Sequence, residues 1–258
     1  MKTNLLLLLL ILLGIKAYCQ NDSFYKVKVD YVMQLNFFGY TSYNAILHYN
    51  TTRSLFEYKE APSADLETKK ESEKINGDSL SFHIEISDTT SCYIRCDKVK
   101  NEIFEFARGF KKNEFYYILE DMPSVEWTIT DETKKISNHN CNLATCSFRD
   151  RNYSAWFASD IQTSFGPLKL NGLPGLILEL SDDTKEVVLY VKSISNENKP
   201  IDNDRSKYII ISHEDYKSMK KEFLKNIDDI GKRITSKMGR EVESVVTTST
   251  IKSIEMDY

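Results

Sequence analysis

Phe24-Tyr25-Lys26-Val27-Lys28-Val29-Asp30-Tyr31-Val32-Met33-Gln34-Leu35-Asn36-Phe37-Phe38 is the stretch whose reading decides the fold. Tyr25, Val27, Val29 and Tyr31 alternate with Lys26, Lys28 and Asp30. A period of two sends successive side chains to opposite faces, so the run reads as a strand half-buried on one face. Short runs of the same texture recur at Asn44–Tyr49, Ser54–Tyr58, Ser79–Ile86, Cys92–Val99, Glu102–Phe106, Glu114–Leu119, Val125–Thr130, Leu143–Phe148, Ser154–Phe157, Leu176–Leu180 and Val187–Ile194. Turn residues separate them at close intervals. The expectation is a mainly β (β-rich α+β) domain, a curved antiparallel meander sheet or open half-barrel. Such a sheet must close, fold over or be covered, because bare edges invite association.

Two stretches break the alternation. Glu60 to Gly77 is rich in Ala, Ser, Asp, Glu and Lys without apolar periodicity, and reads as a surface loop. Ser212 to Met238 instead spaces Tyr216, Met219, Phe223, Ile227, Ile230 and Ile234 three or four apart, with Ser212 as N-cap and Asp215 completing the start. This predicts one long C-terminal amphipathic helix that packs on the sheet as a lid. Gly239 ends it, and Val242 to Ile254 reads as a last strand.

Lys2, the apolar block Leu5–Leu13 and the polar patch with Ala17, Cys19 and Gln20 read as a secretory signal peptide over 1–19, cleaved near Cys19/Gln20. A lipid anchor on Cys19 is the rival, disfavoured by Tyr18. The apolar block is too short for a permanent span, which takes about 20 residues. The chain over 20–258 is long enough for one β domain, exported to the periplasm or beyond. Its formal charge of −4 comes from interspersed residues of both signs, without a basic stripe, so nucleic acid is not expected as a partner.

In an oxidising compartment Cys92, Cys96, Cys141 and Cys146 suggest two disulfides. Cys92 and Cys96 on one strand stand about 13 Å apart, beyond the reach of a bridge, which favours pairing between the two segments. A zinc site built from all four is the weaker alternative, and neither metal nor cofactor is expected. His48, His83, His139 and His213 lie in no ligand or nucleophile spacing. Asp121, Glu126 and Asp160 are catalytic candidates by default only. Catalysis therefore ranks behind binding, and no catalytic residue is assigned.

Gly172-Leu173-Pro174-Gly175-Leu176-Ile177 sets a turn between two apolar flanks. Pro174 fixes φ for the second position, and Gly175 takes the positive φ that a type II turn needs next. The hexapeptide resembles the signature of the GLPGLI family, secreted proteins of Bacteroidota-type bacteria without an established biochemical role. Ile136–Ala144 with Cys141, Tyr153-Ser154-Ala155-Trp156-Phe157, Ile161, Gly166-Pro167 and Leu168-Lys169-Leu170 follow the family order, so the likeness covers Ile136 to Leu180. There are two departures. Asn138-His139-Asn140 stands where the family has a glycine-aromatic pair, and Cys146 follows Cys141 closely.

With 15 Tyr and 13 Phe, some aromatics are expected to line a surface or pocket. Trp156, Phe157, Ile161, Leu173, Leu176 and Ile177 are the candidate binding residues, with Gly172, Pro174 and Gly175 shaping the turn. The expected function is an exported cell-envelope protein that binds an apolar ligand or lipidated client between sheet and helix. The alternative is a protein-interaction module in envelope assembly, and behind it a peptide-processing hydrolase.

Overall fold

The computed structural model describes residues 23–37, 40–60, 92–108, 114–202 and 208–237. The expected signal peptide over 1–19, the run Ser79–Ile86, the expected last strand Val242–Ile254 and all of the expected loop Glu60–Gly77 but Glu60, which ends a strand, lie outside the described residues. Twelve strands form one sheet. They are β1 (Phe24–Asn36), β2 (Tyr40–Tyr49), β3 (Arg53–Glu60), β4 (Cys92–Asp97), β5 (Glu102–Arg108), β6 (Phe115–Asp121), β7 (Thr128–Ile136), β8 (His139–Phe148), β9 (Arg151–Ala158), β10 (Leu176–Asp182), β11 (Val187–Pro200) and β12 (Ile210–Ser212). One helix, α1 (His213–Lys237), follows.

The spatial order is β12-β6-β5-β4-β3-β2-β1-β11-β10-β9-β8-β7, open at both edges. Every pairing is antiparallel except β12 with β6. The alternation that starts at Tyr25 thus becomes the central strand β1, held between β2 and β11. Cross-strand neighbours share a face. Val29, Leu47, Phe56 and Ile94 form one continuous inner row, buried to 6% exposure or less. The sheet bends until Arg149, in the β8–β9 turn, meets Glu120 of β6. The inner face is therefore concave.

The segment between β9 and β10 covers that concavity. Phe165, Leu168, Leu170 and Leu173 join the same core as Val29, Met33, Leu47, Phe56, Phe157, Leu180 and Leu189. This corrects the expected lid. Among the described elements α1 packs chiefly on β12 and β6, at one edge of the sheet, where described side chains such as Tyr216, Met219 and Phe223 are half-buried. A packed amphipathic helix sealing the sheet is not supported. Its start is as expected, since Ser212 Oγ accepts the Asp215 N–H at 3.0 Å and donates to the Asp215 carboxylate.

Cys96, Cys141 and Cys146 are free and buried, so the expected bridge between the two segments does not form. Topology is the reason: the strand bearing Cys92 and Cys96 lies on the opposite side of β1 from β8, which bears Cys141 and Cys146. The same separation keeps the Cys96 thiol apart from those of Cys141 and Cys146 as zinc ligands. No helix among the described residues is long and apolar enough to cross a membrane.

Candidate functional site

The structure divides the candidate binding residues between two faces. Phe157, Leu173, Leu176 and Ile177 are buried in the core, at 2%, 2%, 0% and 1% exposure. Ile161 is half-buried at the start of the covering segment, where its carbonyl accepts the Leu176 N–H at 3.1 Å. Trp156, adjacent to Phe157 on β9, faces the other way and is half-buried.

The geometry of the signature differs from the expected type II turn. The positive φ falls on Gly172, at 107°, and not on Gly175. The Leu176 N–H is satisfied by Ile161, so the bend at Pro174-Gly175 closes onto the covering segment instead of onto Leu173. Gly175 is needed for space: a Cβ there would lie 2.3 Å from the Ala158 carbonyl oxygen. Gly172 donates its N–H to Ser164 at 2.8 Å, and the Trp127 indole donates to the neighbouring Asn171 carbonyl at 2.9 Å. Together these fasten the segment into the concavity.

A buried ionic cluster completes the fastening, and the sequence reading does not contain it. Lys169, 1% exposed, reaches Glu105 at 2.7 Å and Glu120 at 2.6 Å. Glu120 is also paired with Arg149, which contacts His213 at the head of α1. Burial alone would raise the Glu120 pKa, but the Lys169 ammonium, supported by Arg149 and His213, holds it below the usual carboxylate value. Glu120, Arg149, His213 and Lys217 border an open depression of about 460 Å³. Elsewhere on the outer face His48 sits between Glu57, at 2.9 Å, and Glu197, at 2.6 Å. The His48 hydrogen bond, with help from Lys199, lowers the Glu57 pKa to about 2 against the cost of burial.

The buried thiols are shifted away from reactivity. Burial pushes Cys96 up to about 11 and Cys146 to about 12, far from the range of a reactive thiolate. Asp121, Glu126 and Asp160 are exposed, with Asp160 paired to His139 at 2.7 Å. Among the described residues no cluster of His, Cys, Asp and Glu is placed to hold a metal ion.

The outer face offers a different surface. Trp156 lies opposite Glu179, and Glu179 opposite Tyr190, so three adjacent strands present an aromatic, a carboxylate and an aromatic in one row. Lys134 of β7 arches over them, its ammonium 4.6 Å from the Trp156 ring centroid and ion-paired to Glu179. Tyr190 is 40% exposed. With Leu143, Ser154, Ser181 and Lys185 these residues line an open depression of about 530 Å³. The sequence signal was available: β9 alternates, so Trp156 and Phe157 could never line one site.

Residues 148–179 match a family described as a protein of unknown function, Porph_ging. The match runs from the end of β8 through β9 and the covering segment into β10, the unit that holds both the signature bend and Trp156. Two solved structures, of PNGF-II in the P21 and C2 space groups, are similar to this chain at 18% identity with a TM-score of 0.49. Each likeness covers 76% of this chain, which spans about a third of their length, 33% and 32%. No curated protein matches.

Proposed function

We propose that this chain is an exported, non-enzymatic protein of the GLPGLI type that works by binding a partner protein in the cell envelope. The carrying observation is the Trp156 depression on the outer face. A large aromatic left half-exposed on a rigid strand, beside a second exposed aromatic and a charged pair, has the composition of an interface centre. Building it on β9, β10 and β11 fixes it without loop ordering. Export rests on the leader over 1–19 read from the sequence.

The apolar-ligand reading has less support. Its site was to be the concave interior, and Phe165, Leu168, Leu170 and Leu173 already fill that space. A ligand there would have to displace side chains that are at most 4% exposed. Among the described residues the thiols of Cys96, Cys141 and Cys146 are raised by burial, which gives hydrolysis no support there.

The test is photo-crosslinking in the native cells, with the crosslinkable group replacing Tyr190 in the full chain. One discrete adduct is expected, lost with Trp156→Ala and retained with Lys26→Ala, a substitution on β1 outside the depression. A folded Trp156→Ala protein that keeps the adduct overturns the proposal.

A further inference from the structure

The row Trp156, Glu179, Tyr190 has a finer chemical meaning, which rests on the binding reading above: the geometry points to a receptor for a single arginine side chain carried by the partner protein. Three observations lead there. First, Glu179 stands directly opposite both aromatics, Trp156 on β9 and Tyr190 on β11. Neighbouring strands are about 4.8 Å apart, so the carboxylate stands between two aromatic residues, and the Trp156 ring already accepts a cation over its face.

Second, the site already holds a cation of its own. The Lys134 ammonium lies over the Trp156 ring at 4.6 Å and pairs with Glu179, the two contacts an incoming cationic side chain would make. Lys134 reaches across from β7, the free edge of the sheet, whose pairing with β8 shifts register between Ile129 and Thr133. It acts as an intramolecular stand-in. A guanidinium is the stronger occupant, because it stacks flat on an indole and can engage a carboxylate with two parallel hydrogen bonds.

Third, the stand-in is replaceable. The Lys134 and Glu179 side chains are 36% and 38% exposed, so their pairing is screened by solvent and gives way at small cost. Lys185, the other cation lining the depression, donates to Ser181 Oγ at 2.6 Å and leaves positive charge at the rim. That charge disfavours a polybasic stretch and selects a segment with one arginine.

The experiment titrates the full mature chain with Ac-Gly-Arg-Gly-NH2, Ac-Gly-Glu-Gly-NH2 and free arginine amide, by calorimetry and by Trp156 fluorescence. The arginine peptide should bind, and the glutamate peptide should not. Lys134→Met removes the competitor and should tighten the arginine peptide by about fivefold or more. Glu179→Gln should weaken it by about tenfold, and thermal melts verify that both variants fold. Should Glu179→Gln fail to fold, the gain expected of Lys134→Met still decides. Unchanged or weaker binding by Lys134→Met, or preference for the glutamate peptide, overturns the inference. Free arginine amide binding as tightly as the peptide overturns the protein-borne source. If the arginine arm fails while the Tyr190 crosslink still depends on Trp156, only the arginine assignment falls.

Discussion

Two lysines of this chain do opposite things with the same kind of partner. Lys169 is sealed at 1% exposure between Glu105 and Glu120, whereas Lys134 bridges to Glu179 over Trp156 with both side chains more than a third exposed. The chemistry is shared and the solvent differs. Around the Lys169 ammonium, 1% exposed, water cannot replace a lost partner, so its ion pairs hold the covering segment in one register. On the outer face water competes for both charges, so the pair can open without disturbing the fold. The inner cluster is consequently read as architecture and the outer one as a site.

The largest effect expected from this contrast is on Lys169. Lys169→Ala takes the buried cation from Glu105, whose side chain is 25% exposed, and leaves Glu120 to Arg149, which should cost about 2–3 kcal/mol in urea denaturation. Lys169→Met combined with Glu105→Leu should recover part of the loss, since an apolar pair of similar volume needs no compensation and Glu120 keeps Arg149. A single variant as stable as the wild type would remove the distinction between the two lysines.

How far this contrast was legible in the sequence depends on the face concerned. The alternation at Tyr25, Val27, Val29 and Tyr31 led to β1, and Ser212 with Asp215 led to the start of α1, because both signals are local. Lys169 was hidden because a lysine between Leu168 and Leu170 in a Gly/Pro-rich segment looks solvated; its partners lie on β5 and β6, distant in sequence. A faint trace was present: Glu105 shares the inner face with Ile103, two residues before it, so it is a charge in an otherwise apolar register. The failed disulfide has the same origin, since cysteine spacing carries no information on which strands become neighbours. Trp156 and Phe157 were grouped as one site although a strand separates adjacent residues by half a turn, and that error the alternation itself could have prevented.

An intermediate effect is expected in acid. Glu120 and Glu57 both have pKa values lowered by folding, Glu57 to about 2 from 4.5. A carboxylate depressed in the native state contributes stability that is present above its unfolded value and is lost as pH falls through the folded one. Thermal melts between pH 7 and pH 2.5 should therefore show Tm falling below about pH 4.5. Glu120→Gln, which cannot titrate, should lower Tm at neutral pH and flatten this acid dependence. A Glu120→Gln protein whose Tm falls in acid as steeply as that of the wild type would mean that the inner cluster does not carry this dependence.

The smallest effect sharpens the comparison most. A double-mutant cycle on Lys134→Ala and Glu179→Ala isolates the outer pair from whatever else each side chain touches. The coupling should be about 0.5 kcal/mol or less at moderate ionic strength and should shrink further in 1 M salt. Trp156 adds a second leg, since Lys134→Ala also removes the cation from its ring, and the cycle with Trp156→Phe should give a coupling of similar size. A coupling of several kcal/mol in either cycle would make Lys134 a fixed strut of the edge strand β7. Its ammonium could then not yield the Trp156 face to another cation, and the outer depression would be as closed as the concavity behind it.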